Sequence, residues 1–341
     1  MKLNEQGLKK NISSGDFLPV YLIMGDENYL KQHYANQIAK KVVPKEFEIF
    51  NMHYLNESSV NADEIASCVE ALPMMCERSC VLVQDYDFDT AKDEEKEKII
   101  ELLSDLPSTC VLIFWMDTKG FSTKKANSKE ILKLIEQNGA VADINKRTAN
   151  DLVALIISGA KKRGCTISQN DASYLISLVG TDMSTLLNEL EKVCAFANGD
   201  ITQEKIDAVV VKTVEATAFK MVDALLLRSF DNAFALLDVL LTQKTESVMI
   251  SGALISAYVD MYRAKVVQES GNDISVLKKA FGTQYKSDFR LRNAAQRSRK
   301  LSKEQLCKCL EHLSVADEKL KSTNEDNRVI FEQLMVKLAR V

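Results

Sequence analysis

The sequence predicts an α/β domain with a parallel sheet, followed by two all-helical domains. Three observations lead to this fold class. Short apolar runs alternate with helical periodicity over the first 145 residues, strand-like runs are absent after Asn145, and prolines and glycines are few, at 4 and 12 of 341 residues. The chain is also too long for one ordinary core, because domains usually hold about 100 to 200 residues.

The composition restricts the class of protein. A chain that is 46% hydrophobic and 27% charged is typical of a globular protein with a real core. A net charge of -4 excludes general binding of polyanions, so any nucleic-acid contact must come from a local patch. The eight cysteines show no CxxC spacing, and no apolar run reaches the roughly 18 residues of a membrane span. We therefore expect a cytoplasmic protein without a membrane segment, a metal site or a cofactor.

Five short runs in the first 145 residues favour β-strands. They are Val20 to Met24, Phe47 to Met52, Cys80 to Asp85, Cys110 to Met116 and Ala140 to Ile144. Between them, residues at helical spacing predict amphipathic helices, with Leu30, Tyr34 and Ile38 on one face and Ile65, Val69 and Leu72 on another. Strand and helix in alternation predict a parallel sheet with crossover helices.

After Asn145 the pattern predicts helices alone. Four hydroxyl residues precede amphipathic runs as expected N-caps, namely Thr148, Ser168, Thr181 and Thr202. Asn198-Gly199 is a typical helix stop, and a short helix to about Val211 follows it. Two further apolar faces begin at Phe219 and Phe234. These signals divide the chain into an α/β domain at 1–145, a small helical domain at 146–212 and a larger helical domain at 213–341.

The loop after the first predicted strand stands where a phosphate-binding loop would be. A Walker A loop has the pattern G-x-x-x-x-G-K-[ST], because the second Gly lets backbone N–H groups surround the phosphates and the hydroxyl binds Mg²⁺. Here the loop keeps Gly25 and Lys31, but Leu30 replaces the second Gly and Gln32 replaces the hydroxyl residue. We expect a degenerate nucleotide loop in which Lys31 remains only as a surface lysine.

Two further nucleotide-handling positions are also missing. Tyr86 follows Asp85 at the end of the third strand, where a Walker B motif has a Glu that polarises water. The segment from Gly180 to Leu186 has the place of an AAA+ sensor-2 helix, yet no Arg lies between Arg163 and Arg228. We therefore expect no ATP hydrolysis, while weak nucleotide binding stays open. The three histidines lie far apart and predict no other catalytic set.

With these segments in place, the chain resembles the delta subunits of bacterial DNA polymerase III clamp loaders over nearly its whole length. The resemblance rests on four sequence segments: Val20 to Glu27, Leu72 to Arg78, Leu187 to Lys192 and Ala316 to Lys321. The resemblance implies an AAA+-like domain, a helical lid and a helical collar through which five different subunits form an open ring within the polymerase holoenzyme. It also implies a non-hydrolysing subunit that binds the sliding clamp and holds its ring open during DNA replication.

The resemblance also implies a clamp-binding wedge. In the family a pair of apolar residues follows the helix before the third strand, and here Met74 and Met75 hold that position, with Leu72 beside them. Pro73 limits the helix, and two consecutive residues cannot both point into one core, so at least one Met should be exposed. The alternative is that both are gap-filling core methionines.

A second candidate surface is the basic segment 286–303. It has seven basic residues against Asp288 alone: Lys286, Arg290, Arg292, Arg297, Arg299, Lys300 and Lys303. Beside primer-template DNA such residues would contact phosphates. The alternative is a solvated helix face balanced by acidic neighbours in the collar or at a subunit contact, and no interleaved aromatic residues support base stacking.

Two other functions remain open from the sequence. One is an active P-loop ATPase of the AAA+ class with an atypical loop, which equilibrium binding of Mg-ATP would identify. The other is a generic helical scaffold without a clamp partner, in which the segment around Met74 and Met75 would contact nothing.

Overall fold

The computed structural model describes residues 1–56, 60–89, 91–117, 126–281 and 288–341. The chain forms two compact units, Met1–Lys146 and Arg147–Val341. The first unit contains a six-stranded sheet. Its strands are β1 (Lys2–Leu3), β2 (Val20–Met24), β3 (Met52–Leu55), β4 (Ser79–Gln84), β5 (Cys110–Trp115) and β6 (Ala140–Asp143).

Six α-helices accompany this sheet. They are α1 (Glu5–Ser14), α2 (Asn28–Val42), α3 (Glu48–Asn51), α4 (Ala62–Glu70), α5 (Asp93–Ser104) and α6 (Ala126–Asn138). The strand order is β1-β6-β2-β5-β4-β3 and each neighbouring pair is parallel. All six residues of β5 are buried, as expected for an inner strand with helices on both faces. The predicted parallel sheet with crossover helices is confirmed.

The predicted strand Phe47 to Met52 is wrong for all but its last residue. Lys45–Phe47 is a 3₁₀ turn, Glu48–Asn51 is the short helix α3, and the strand runs over Met52–Leu55. Met52 pairs with Cys80, and β4 begins only one residue earlier, at Ser79. The residues before Asn51 therefore have no neighbouring strand to pair with, and a strand cannot extend past its partner.

Leu72 does not continue the apolar face of its predicted helix. Ile65 and Val69 are fully buried as expected, but α4 ends at Glu70 and Leu72 is exposed. Leu72 precedes Pro73, and the residue before a proline is disfavoured in the α conformation. The helical spacing of apolar residues therefore continues to Leu72, although α4 ends at Glu70.

A tight turn joins β2 to α2. Gly25 has φ 118°, and an added Cβ would lie 2.3 Å from the carbonyl oxygen of Ile144. Backbone hydrogen bonds hold the same point, from the Ile144 N–H to the Met24 carbonyl (2.7 Å) and from the Glu27 N–H to the Ile144 carbonyl (3.1 Å). The glycine at position 25 is thus required by the close approach of Ile144, the residue that follows β6.

The second unit is largely helical. Its helices are α7 (Ala149–Lys162), α8 (Gln169–Val179), α9 (Met183–Ala197), α10 (Gln203–Val209), α11 (Val214–Leu226), α12 (Phe230–Thr242), α13 (Ser247–Glu269), α14 (Val276–Phe281), α15 (Asp288–Ser298), α16 (Lys303–Ser322) and α17 (Asn327–Arg340). Two short strands that sequence reasoning missed, β7 (Thr166–Ile167) and β8 (Asp200–Ile201), pair in parallel.

The predicted helix ends of this unit are mostly confirmed. Thr148 forms a capping box with Asp151, and Ser168 accepts a hydrogen bond from the Asp171 N–H. Asn198 ends α9 in the left-handed conformation. The expectation for Thr181 is wrong, because Asp182 is the N-cap of α9 and its carboxylate accepts the Thr185 N–H. Thr202 precedes α10 without a side-chain cap.

The larger helices enclose one apolar core. The two predicted faces contribute to it through Val222 and Leu225 of α11 and Leu237 and Leu240 of α12, all buried. The long helix α13 packs against α11, α15 and α16 and supplies the buried Tyr258. No helix in the described part of the chain is long and apolar enough to cross a bilayer.

We expect Gly25→Ala to destabilise the first unit by about 2 to 4 kcal/mol, because it combines a strained backbone with a clash against Ile144. Gly252→Ala is the matched control, since its added Cβ meets nothing within 4 Å on a helix where Ala is favoured. Thermal unfolding followed by circular dichroism measures both. Equal melting temperatures for the two variants would contradict the proposed packing at Gly25.

Candidate functional site

The strand order places the degenerate nucleotide loop at a position where open α/β sheets bind ligands. From β2 the chain crosses to β3 at one edge of the sheet, returns through β4 and β5, and then passes to the other side of β2 as β6. The carboxyl end of β2 therefore lies at a topological switch point. Gly25 and Lys31 follow β2, Asp85 follows β4 and Asp117 follows β5, so all four lie at this edge.

Lys31 is not the surface lysine that the sequence predicts. Its side chain is buried, at 2% exposure, and its Nζ donates a hydrogen bond to the Gly25 carbonyl oxygen at 2.8 Å. Burial lowers the pKa of Lys31, while the nearby carboxylates of Asp117 and Asp85 raise it, followed by those of Asp26 and Glu27. In a working phosphate-binding loop the lysine ammonium contacts the phosphates. Here the ammonium of Lys31 is hydrogen-bonded to the Gly25 carbonyl of the same loop.

The other positions of the loop also differ from those of a phosphate-binding loop. Leu30 is buried in the core and Gln32 is exposed on α2. Glu27, at the N-cap of α2, is buried and makes no side-chain cap hydrogen bond. A triphosphate at this point would meet several carboxylates instead of a ring of free N–H groups.

The residues at the predicted Walker B position, Asp85 and Tyr86, make contacts within the protein. Asp85 has a positive φ of 52°, and its carboxylate accepts the Asp117 N–H at 2.7 Å. Tyr86, at the place of the catalytic Glu, is buried and packs against the rings of Phe88 and Phe114. Within the described ranges, no group of three or more His, Cys, Asp or Glu side chains could hold a metal ion.

The loop between α4 and β4 presents the predicted wedge residues to solvent. Leu72 is 81% exposed, Met74 55% and Met75 79%, so neither methionine is a core residue. Met75 has φ 61°, a left-handed conformation that is costly for a residue with a long side chain. The loop is nevertheless well anchored, and its anchor lies in α3.

Asn51 anchors this loop, and sequence reasoning missed it. Its side chain is fully buried; Oδ1 accepts the Met74 N–H at 2.6 Å, and Nδ2 donates to the carbonyls of Met74 (2.9 Å) and Phe47 (3.0 Å). One amide thus satisfies both backbone polar groups of Met74. The only sequence signal is a polar residue near the end of the apolar run Phe47 to Met52, which by its pattern predicts a strand.

The basic segment divides into paired and unpaired cations. Arg290 donates to Asp260 (2.5 Å) and to Ser256 (2.6 Å), and Arg297 forms a two-point ion pair with Asp223 at 2.6 and 2.7 Å. Both guanidinium groups also lie over the ring of Phe219, at 5.9 and 5.2 Å from its centroid. Arg290 and Arg297 therefore connect α15 to α13 and α11.

The remaining described cations of this segment lie on the surface, and they include Lys303. Arg292, Arg299 and Lys300 are exposed and make no ion pair with another described residue. Arg292 and Lys300 line a cleft of about 690 Å³ in the second unit, together with Asn293 and Gln296. Lys286 lies outside the described residues.

The fold defines a class of protein with a parallel-sheet α/β unit followed by helices, in which the loop after β2 departs from the Walker A pattern at Leu30 and Gln32. Two family models match the sequence, the DNA polymerase III delta subunit at residues 21–145 and the C-terminal domain of that subunit at residues 215–338. The chain belongs to the DNA polymerase III delta subunit family.

Two curated sequences and one solved structure are similar over large parts of the chain. The DNA polymerase III subunit delta of Bacillus subtilis is 24% identical, covering 97% of this chain and 96% of the relative. The probable DNA polymerase III subunit delta of Aquifex aeolicus is 24% identical, covering 77% and 75%. The structure of the Bacillus subtilis DNA clamp loader delta protein has a TM-score of 0.61 at 21% identity and covers 98% of this chain and 99% of that one, which supports a shared fold.

We expect the purified chain to show no ATP hydrolysis, because Lys31 is bound to Gly25 and Tyr86 replaces the catalytic Glu. Phosphate release and calorimetry with Mg-ATP measure turnover and binding. Restoring the loop with Leu30→Gly and Gln32→Thr should not create activity, provided that circular dichroism shows a folded variant. Saturable ATP hydrolysis by the unaltered chain would contradict the degenerate-site assignment and support the active ATPase.

Proposed function

We propose that this chain is the clamp-binding subunit of its clamp loader. In this proposal it binds the sliding clamp through Leu72, Met74 and Met75 and holds the clamp ring open during DNA replication, without hydrolysing ATP. Its partners are the clamp and the other subunits of a hetero-pentameric ring in the cytoplasm, with primer-template DNA reached through the complex.

The observation that carries the proposal is the exposure of three large apolar side chains on a loop that is held rigid. Exposed apolar patches on soluble proteins commonly mark contacts with other proteins. The loop is fixed in advance by Asn51, so binding would cost less conformational entropy than for a free loop. A left-handed Met75 is also the kind of strained residue that concentrates at functional sites.

The division of labour between the units is part of the proposal. Residues 1–145 would carry the clamp contact, 146–212 would form the lid, and 213–341 would form the collar that joins the other subunits. Extended apolar helices in the last segment supply the broad core that a collar requires. A generic scaffold would need no exposed wedge, and this favours the clamp-loader function.

We expect Met74→Ala with Met75→Ala to weaken clamp binding by on the order of 100-fold, roughly 3 kcal/mol, because two apolar side chains would no longer be buried in the clamp. Since both are exposed in the free chain, the melting temperature should not fall. Surface plasmon resonance against the host's sliding clamp measures the affinity.

The matched control for this variant is Val248→Ala with Met249→Ala, two exposed apolar residues at the start of α13. The control should bind the clamp like the unaltered chain. Clamp affinity unchanged in the Met74/Met75 variant would remove these residues from the proposed interface.

The unpaired part of the basic segment supports a second contact, with DNA phosphates. Neutralising Arg292, Arg299 and Lys300 to Gln should weaken DNA-dependent assembly and make the slope of log K against log salt less steep by about 2 to 3, because each lost phosphate contact removes counterion release. Arg297 is left intact, because its loss would leave Asp223 without its partner. Fluorescence anisotropy of labelled primer-template DNA over a salt series measures the slope.

An equal loss of charge elsewhere is the control for this experiment. Lys161, Lys162 and Lys244 are exposed lysines of the same unit outside the segment. Changing these three to Gln should leave the slope as it is. If the two triple variants alter the slope equally, the segment makes no specific phosphate contact and serves as a solvated helix face or a subunit contact.

A further inference from the structure

A second exposed apolar segment lies beside the loop between α4 and β4 that carries Leu72, Met74 and Met75, here called the wedge loop. Among the large apolar side chains of the described residues, the three most exposed are Ile49 at 90%, Leu72 and Met75. Phe50 is 53% exposed and follows Ile49 in α3. The most exposed apolar residues of the described chain therefore fall on two short segments, α3 and the loop before β4.

The sheet brings these two segments together. Helix α3 comes immediately before β3, and the wedge loop comes immediately before β4. These strands are parallel neighbours, with Met52 paired to Cys80, so the residues that precede them lie side by side at the amino edge of the sheet. The side chain of Asn51 connects α3 to the wedge loop through its hydrogen bonds to Met74.

The side-chain amide of Asn51 fixes the position of α3 relative to the wedge loop. Asn51 donates to the Phe47 carbonyl at the start of α3 and also binds both backbone polar groups of Met74. A four-residue helix has little stability of its own, so its orientation depends on such contacts. Ile49 and Phe50 are therefore held next to the wedge by a buried side chain that makes no contact with solvent.

We propose that α3 is the second half of the clamp-docking surface, with Ile49 and Phe50 contacting the clamp and Asn51 acting as the positioning residue for both halves. This inference rests on the proposed function of the wedge loop. It names residues that extend that surface and an amide that would set the angle at which the wedge enters the clamp.

The partner that would bind α3 can be inferred because α3 adjoins the wedge loop and forms one surface with it. A partner that covers Leu72, Met74 and Met75 will also meet the adjoining Ile49 and Phe50, which lie at the same edge and are tied to Met74 through Asn51. The surface is apolar, so it fits an apolar face of a protein better than a nucleic-acid backbone. A second copy of this chain is the competing occupant, and self-association distinguishes it.

Ile49→Ala with Phe50→Ala should weaken clamp binding about tenfold, or about 1.4 kcal/mol, without lowering the melting temperature, because both side chains are exposed. Phe196→Ala with Leu227→Ala is the matched control, since both residues are exposed apolar residues of the second unit. Surface plasmon resonance with the sliding clamp measures affinity, and sedimentation velocity measures self-association.

Asn51→Ala tests the positioning role. It should weaken clamp binding about tenfold in the unaltered chain and have a clearly smaller effect when Met74 and Met75 are already Ala, because only the α3 half then remains to be positioned. A merely destabilising change would act equally in both backgrounds. Asn51→Asp keeps an acceptor for the Met74 N–H but places a buried carboxylate oxygen against the carbonyls of Met74 and Phe47, so it should weaken clamp binding at least as much as Asn51→Ala.

The outcomes separate this inference from the proposed function. Normal clamp binding by the Met74/Met75 variant removes the proposed function and the inference together. Loss of binding in that variant with normal binding by the Ile49/Phe50 variant overturns the role of α3 alone. Self-association that is lost in the Ile49/Phe50 variant, with clamp affinity unchanged, assigns α3 to a second copy and also overturns it. Equal losses from Asn51→Ala in both backgrounds overturn the positioning role.

Discussion

The common direction of the strands is the constraint on which the first unit depends. Because each neighbouring pair in the sheet is parallel, every loop that follows a strand lies at one edge and every segment that precedes a strand lies at the other. Gly25, Asp85 and Asp117 therefore lie at the carboxyl edge, where open α/β sheets bind ligands. Helix α3 and the wedge loop meet at the amino edge. The two candidate surfaces lie at opposite edges of one sheet.

The carboxyl edge of the sheet is occupied by contacts within the protein itself. Lys31 donates to the Gly25 carbonyl, Asp85 accepts the Asp117 N–H, and Tyr86 packs against the rings of Phe88 and Phe114. Each of these polar groups thereby has a hydrogen-bond partner in the protein. The close approach of Ile144 requires the glycine at position 25, while Leu30 and Gln32 depart from the Walker A pattern.

The basic segment shows why charge counted along a sequence overstates the charge available to a partner. Two of its arginines reach acidic residues that lie far away in the chain, Arg290 at Asp260 and Arg297 at Asp223. These pairs hold α15 against α13 and α11, and a partly buried guanidinium with a two-point contact is better suited to that role than to DNA. Among the described residues, the exposed Arg292, Arg299, Lys300 and Lys303 are the part of the segment that a phosphate could reach.

The sequence by itself determined the alternation of strands and helices, most strand positions, the capped helix ends at Thr148 and Ser168, and the loss of the nucleotide motif at Leu30 and Gln32, because these depend on local pattern and residue chemistry. Only the tertiary structure decided that Phe47 to Asn51 is not a strand, that Lys31 is buried, and that Asn51 holds Met74. Each of these depends on which distant segment lies alongside: β4 begins too late to pair with α3, the Gly25 turn receives the ammonium, and β3 beside β4 brings Asn51 to the wedge loop. Periodicity within one segment carries no information about such partners.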